Sequence, residues 1–470
     1  MCNACSPEIW ELATEQFDLL AAQHNLWSAV PSVSEAANML ADDQTLQAMK
    51  KAASALIVHA LYDDRRTQIA KAVVPRLASL LQETADADLK SMTAWILMVL
   101  AMDEDLRPMV AEAALPALCD LLHNEASGRW FLAAFALLAI AELPAMRTQI
   151  SSLAVPRLLS LLQESVEPFC LDCADKLFQQ LIESSDMCVV VAAAAMPQLC
   201  SGLQASNSSG RMLAALYLTD LARHAPIRRS VMEASLTGLV ALIQDQTAPV
   251  CRMAAAGALH AIAESDELHI EVADAALPTL LAFLQEGSRG SETAAAVIAE
   301  LACSPALQIR IHNAALPGLI SLLQATACPN GGMIAAIAIK NIATDITLRQ
   351  PLVESALPAL ASLLTDLAVP ECWAAAADAI GVISSDGPES RSRQVADAAL
   401  IGLVAVLRKD DLPEGQVSAA QALGSIAASS DQDLKCRIFA AASEDLARLG
   451  RSTTNAAGSA KARWALPQMC

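Results

Sequence analysis

Apolar residues in this chain fall in short blocks at three- and four-residue steps, each closed by a polar turn. One block recurs down almost the whole length, with the wording Ala-Leu-Pro-x-Leu-x-x-Leu-Leu-Gln. Its proline stands at Pro75, Pro116, Pro156, Pro197, Pro278, Pro317 and Pro358, and Thr237 and Ile401 fill the same slot in two further copies. Weaker copies begin at Ser34, followed by Ala36, Met39 and Leu40, and at Glu444, followed by Leu446 and Leu449. From Ser34 to Glu444 the ten intervals average 41 residues. A fixed period of this size marks a stacked-repeat array, because one unit cannot bury its own apolar face and needs neighbours to cover it.

Within a repeat the pattern divides into three helical pieces. Glu104 to Val110 opens a short first helix, and Leu115 to Leu122 forms a second with Pro116 in its first turn, where the missing N–H would be unpaired anyway. A polar turn at His123-Asn124-Glu125 leads into a longer third helix, Arg129 to Glu142, whose Leu132, Phe135, Ala136, Ala139 and Ile140 recur at helical spacing. No segment sustains the alternation a strand needs, so the predicted class is all-α. The predicted domains are an acidic amino-terminal cap over 1–33, the repeat array over 34–450, and a flexible basic tail over 451–470.

Composition narrows the function classes. Hydrophobic residues make up 54 % of the 470 and aromatics 3 %, which suits thin layers of closely packed Ala- and Leu-rich helices. The longest apolar runs, such as Phe131 to Ala141, are about half the ~20 residues of a membrane-spanning helix, so no membrane insertion is expected. No basic leader precedes an apolar stretch. Thirteen cysteines, an odd number on apolar faces, read as free thiols, and a cytoplasmic location (cytoskeletal or nuclear as variants) is expected. The net charge of −20 argues against nucleic-acid binding, which needs cationic surface against phosphate.

The 41-residue unit, its three pieces and the wording Arg-x-x-Ile-x-x-Ala-x-x-Pro-x-Leu-x-x-Leu-Leu resemble the armadillo repeat family. The arginine precedes its apolar anchor at Arg66 and Ile69, Arg107 and Val110, Arg147 and Ile150, Arg228 and Val231, and Arg349 and Leu352. The resemblance covers roughly residues 30 to 450. It departs in having Ala rather than Gly before the second helix (Ala114, Ala276, Ala315), which is more like the related two-helix HEAT repeats. The resemblance implies a right-handed α-solenoid of about ten three-helix repeats. It also implies a non-enzymatic scaffold that binds a partner protein or peptide in a groove lined by third helices.

In armadillo nuclear-import receptors that groove carries Trp and, four residues later, Asn on successive third helices, a spacing that puts both on one face. Here the Trp slots hold Ser54, Trp95, Phe135, Lys176, Leu216, Gly257, Ala296, Ile337, Asp378 and Gln421. The Asn slots hold Val58, Val99, Ala139, Gln180, Asp220, Ala261, Glu300, Asn341, Val382 and Ser425. No repeat keeps the pair, and the first 49 residues contain no Lys or Arg, so an import adaptor for basic peptides is the alternative rather than the main reading. The candidate partner-binding residues are Met92, Trp95, Val99, Phe131 and Phe135, with Asp220, Glu300 and Asn341 further along. Trp95 is the favoured exposed anchor.

The chain ends and the remaining polar residues add less. Ser6 and Pro7 can start a helix whose Trp10, Ala13, Phe17, Leu20 and Ala21 share one face, as a cap on the array or as a docking helix. Cys2 and Cys5 are candidate acylation sites, which gives a membrane-tethered adaptor as a further alternative. Neither Cys2-x-x-Cys5 nor Cys170-x-x-Cys173 has the second ligand pair a metal site needs. The seven histidines are scattered over separate repeats, and no Gly-rich phosphate loop is present, so no enzyme, metal or cofactor is expected. The repeated Gln after the second helix reads as a turn cap, and the repeated Arg as a bridge to Asp64, Asp105 or a neighbouring repeat. Past Leu449 the apolar period stops, and the run from Gly450 to Ala460 reads as a flexible end carrying Lys461, Arg463 and Trp464.

Overall fold

The computed structural model describes residues 30–41, 44–122, 130–164, 168–183, 185–287, 289–325, 330–365, 371–409, 412–452 and 455–469. Cys2, Cys5, the Trp10 to Ala21 face and most of the expected cap lie outside them. Among the described residues every regular element is a helix. The chain divides into two units at Ala214 and Ala215.

In the first unit the helices are α1 (Val33–Met39), α2 (Leu46–Ala60), α3 (Asp63–Glu83), α4 (Ala87–Met102), α5 (Arg107–Leu122), α6 (Trp130–Ile140), α7 (Pro144–Glu164), α8 (Pro168–Ile182) and α9 (Ser185–Gly202), and the division falls within α10 (Ser208–Ala222). Two layers form. The helices that carry the proline theme stack α3 on α5, α5 on α7 and α7 on α9, while the others stack α2 on α4, α4 on α6 and α6 on α8. Among the described residues each helix packs chiefly on the neighbouring pairs, as expected where the apolar face of one repeat is completed by the next.

The second unit continues in the same manner with α11 (Ala225–Gln244), α12 (Pro249–Ala263), α13 (His269–Gln285), α14 (Arg289–Leu301), α15 (Gln308–Leu323), α16 (Gly331–Ile342), α17 (Arg349–Ser355), α18 (Leu357–Leu363), α19 (Glu371–Ser384), α20 (Glu389–Leu407), α21 (Pro413–Ala428), α22 (Gln432–Gly450) and α23 (Ala456–Gln468). Its second layer runs α12, α14, α16, α19, α21, α23, each packed on the next.

Two expectations are corrected here. The three-helix division is seen in one repeat, α17 and α18, which part at Ala356 with Pro358 in the first turn of α18. Elsewhere the first and second pieces are one helix, and Pro75, Pro116, Pro156, Pro197, Pro278 and Pro317 lie inside it. An internal proline leaves the carbonyl four residues back without its N–H partner. Those residues are Lys71, Glu112, Ser152, Ala193, Asp274 and Asn313, and every one is exposed. The released carbonyl thus belongs to an exposed residue, where solvent can take the missing donor's place and an internal proline is tolerated.

The second correction concerns residues 451–470. Residues 456–468 form α23, packed on α21 and α22. Asn455 caps it by accepting from the Gly458 N–H at 2.8 Å, and Ala462 and Ala465 are fully buried. The small residues allow a close approach to the preceding repeat instead of a flexible end.

Arginine holds one pair to the next. Its Nε donates to the carbonyl six residues earlier, at the end of the preceding second-layer helix. The pairs are Arg66 to Ala60 (2.8 Å), Arg107 to Ala101 (3.0 Å), Arg147 to Ala141 (2.7 Å), Arg228 to Ala222 (2.7 Å) and Arg349 to Ala343 (2.9 Å). The end of a helix leaves carbonyls without intrahelical donors, and the guanidinium supplies one. His269 to Ala263 (2.7 Å) and Gln308 to Ala302 (3.2 Å) do the same work in two repeats. The far side of the guanidinium reaches onward, Arg107 to Glu142 at 2.5 Å, Arg228 to Glu264 at 2.8 Å and Arg349 to the Ser385 carbonyl at 2.7 Å. The recurrent glutamine also reaches between repeats, from Gln82 to Asp120 (3.5 Å) and from Gln244 to the Thr279 hydroxyl (3.0 Å).

Candidate binding surfaces

Five second-layer helices of the second unit, α12, α14, α16, α19 and α21, leave chiefly one stripe open along their middle turns. On α12 the stripe is Met253, Gly257 and His260; on α14 it is Glu292, Thr293, Ala296 and Glu300; on α16 it is Met333, Ile334, Ile337, Lys340 and Asn341. On α19 it is Ala374, Asp378 and Val382, and on α21 Val417, Gln421 and Ser425. Most predicted slots of this unit therefore share one face, with Ala261 the buried exception. Leu216 is 43 % exposed and Asp220 half-buried on α10.

Polar contacts run along this face from repeat to repeat. His260 Nε2 lies 3.8 Å from Glu300, and Lys340 Nζ lies 3.7 Å from Asp378. Asn341 Nδ2 donates to the Ala299 carbonyl at 2.9 Å and to Cys303 Sγ at 3.3 Å. Both of its amide hydrogens are thus directed to the preceding repeat. Asp220 pairs with Arg223 at 3.2 Å.

The anchor predicted in the first unit is corrected more sharply. Trp95 is 3 % exposed, Met92 and Val99 are fully buried, and Phe135 is 3 % exposed, while Phe131 is half-buried. Along α4 every residue from Ser91 to Ala101 is buried, and along α6 every residue from Leu132 to Ala141. Met92, Trp95, Val99 and Phe135 are interior packing. Large apolar side chains in a slot that alternates with small ones elsewhere gain most by leaving water.

Among the described residues no three His, Cys, Asp or Glu side chains gather as a metal site, and no helix is long and apolar enough to cross a membrane. Burial pushes the Cys119 thiol up to about 12, with the Asp120 carboxylate adding to it, which leaves Cys119 an inert core residue. His59 is structural, its Nε2 donating to the Pro31 carbonyl at 2.8 Å while Nδ1 accepts from Arg65 at 2.6 Å. A cleft of about 540 Å³ is lined by Gln416, Arg448, Arg451, Ser452 and Asn455 near the ends of α22 and α23. Asp445 stands 3.6 Å from the Arg448 guanidinium there.

No protein-family model matches the chain, and no curated protein matches it. Among solved structures it is similar to an engineered protein from a structural genomics consortium. That likeness has 22 % identity over 93 % of this chain and 98 % of the other, with a TM-score of 0.56, a likeness of fold alone. A second engineered protein aligns over 50 % of this chain and 98 % of its own, at 28 % identity and a TM-score of 0.47.

Proposed function

We propose that the chain is a non-enzymatic protein-interaction scaffold, an α-solenoid of the armadillo type in which a partner protein or peptide lies along the second-layer helices of the second unit. One observation carries the reading. On five successive helices most buried positions hold Ala, Leu or Ile, while the open stripe varies through Gly257, Ala296, Ile337, Asp378 and Gln421. Stacked repeats build extended binding surfaces in this way, and the varied stripe is where such an array can encode a partner. The stripe mixes apolar groups (Met253, Met333, Ile337, Val382) with acidic ones (Glu292, Glu300, Asp378), which suits a partner segment that is apolar on one side and basic on another.

The import-adaptor alternative is weaker, since the lone groove Trp is core and the lone groove Asn has its amide engaged. Acylation at Cys2 and Cys5 stays a separate alternative. Cross-linking of a captured partner with a carboxylate-reactive reagent tests the proposal. Cross-links on Glu292, Glu300 and Asp378 are expected, and cross-links confined to the first-layer carboxylates Glu233, Asp274 and Glu354 would contradict it.

A further inference from the structure

The open stripe of the second unit continues past α21. Helix α23 packs on α21 as α21 packs on α19, and both are joined in one register to the helix before them. Gln416 Nε2 donates to the Leu407 carbonyl at 3.3 Å and Ser459 Oγ to the Gly450 carbonyl at 2.8 Å, each acceptor nine residues back. Gln416 and Ser459 are 43 residues apart, and the same step leads from Asp378 to Gln421 and from Gln421 to Trp464. Trp464 therefore stands in the register of the stripe, with Ala460 and Gln468 four residues to either side. Its ring lies on the bare backbone of Gly424, where an added methyl would overlap it, and 43 % of the residue is exposed. Trp464 is the largest apolar group on the stripe, held against α21 on one side and open on the other.

Charge is spread unevenly along the same stripe. Glu292 and Glu300 on α14 and Asp378 on α19 outnumber Lys340 on α16. The contacts from His260 to Glu300 at 3.8 Å and from Lys340 to Asp378 at 3.7 Å are longer than hydrogen bonds, so both half-buried carboxylates keep acceptor capacity. On α21 the stripe residues Val417, Gln421 and Ser425 are uncharged, and α23 carries Lys461 and Arg463 with no Asp or Glu. A cation is thus drawn toward α14 and α19 and repelled from α23, where an apolar group finds the Trp464 ring.

We propose that the stripe takes an extended partner segment in one orientation, with a large apolar side chain against Trp464 and Lys or Arg residues toward Asp378 and Glu300. Neighbouring packed helices lie roughly 8–10 Å apart, so Asp378 on α19 is two steps, roughly 16–20 Å, from α23. Glu300 on α14 is four steps away, roughly 32–40 Å. A segment advancing ~3.3 Å per residue then places its basic residues about five or six and about ten to twelve positions from the apolar one. The inference rests on the scaffold reading and adds to it the chemistry and orientation of the partner.

Peptides selected on the full chain from a random-sequence display library test it. They should carry one large apolar residue with Lys or Arg at those separations, and Trp464→Ala should weaken their binding by roughly tenfold or more. Because Trp464 also touches α21, a second measurement separates anchoring from packing. With p-benzoylphenylalanine placed at Trp464 in one sample and at Ile337 in another, photo-adducts from the first should fall on the apolar end of a peptide and those from the second on its basic end. Adducts in the opposite order overturn the proposal and leave the scaffold reading in place. So does binding that Ile337→Ala weakens and Trp464→Ala does not. A library that yields no binder, or binders that keep full affinity in both variants, overturns the two together.

Discussion

Trp95 shows how far a single position can be read from its slot. The slot identifies the face of the helix, but whether that face is wet depends on what else is laid on it, and the repeat period carries no record of that. Trp95→Ala should lower stability by about 3–5 kcal/mol, the usual effect of truncating a large core aromatic, and a thermal melt would register it as a clear drop in Tm. An unchanged Tm would return Trp95 to the surface. Arginine is the reverse case. Its recurrence was legible, but its acceptor was not, because a main-chain carbonyl leaves no mark in sequence. Arg107 is 4 % exposed and joins the Ala101 carbonyl to Glu142, so Arg107→Ala should cost about 2–4 kcal/mol in a denaturant titration. Arg107→Lys should recover only part of it, since one ammonium cannot reproduce the fork.

Asp86 gives a pH signature at the same scale. Burial would raise its carboxyl, but the Leu89 N–H and the Lys50 ammonium outweigh that and hold it below the usual carboxylate value. A depressed folded value stabilises above the unfolded one, ~3.9, and the gain is lost as pH falls through the folded value. Asp86→Asn should therefore lower Tm at pH 7, and its difference from the natural chain should shrink as pH falls below the ordinary carboxylate range and through the depressed folded value.

At the scale of elements, helix identity and period were legible because apolar spacing and the Pro-x-Leu-x-x-Leu-Leu block are strong local signals. The joining of first and second helices was not, since it turns on whether the carbonyl released by proline faces water, which is a property of packing. Residues 456–468 were missed for a related reason. Their buried residues are Gly458, Ser459, Ala462 and Ala465, too small to register as an apolar stripe, although Asn455 three residues before Gly458 is a legible cap. Close packing also fixes Gly290, where an added methyl would overlap the Phe283 ring, itself stacked on the Arg252 guanidinium at 4.1 Å. Gly290→Ala should lower Tm despite the higher helix propensity of alanine, and a rise would show that the ring can move aside.

At the scale of the whole molecule, each pair of helices leans on its neighbours, so whole periods are the natural unit of change. Deleting residues 278 to 316, one period of the second unit, should leave a folded helical protein by circular dichroism, whereas removing half a period should expose apolar faces and aggregate. Equal loss of folding in both deletions would contradict the period. The binding claim rests on the stripe of the second unit, and a paired comparison tests it most directly. Ile337→Ala with Gln421→Ala alters the open stripe, and Ile309→Ala with Ile401→Ala alters residues 54 % and 83 % exposed on the other layer. With the captured partner titrated against each variant, the stripe pair should weaken binding by roughly tenfold or more at an unchanged Tm, in line with the loss of central contact residues. The first-layer pair should bind as the natural chain does. Full affinity in the stripe pair, with the loss falling on the first-layer pair, would contradict the account.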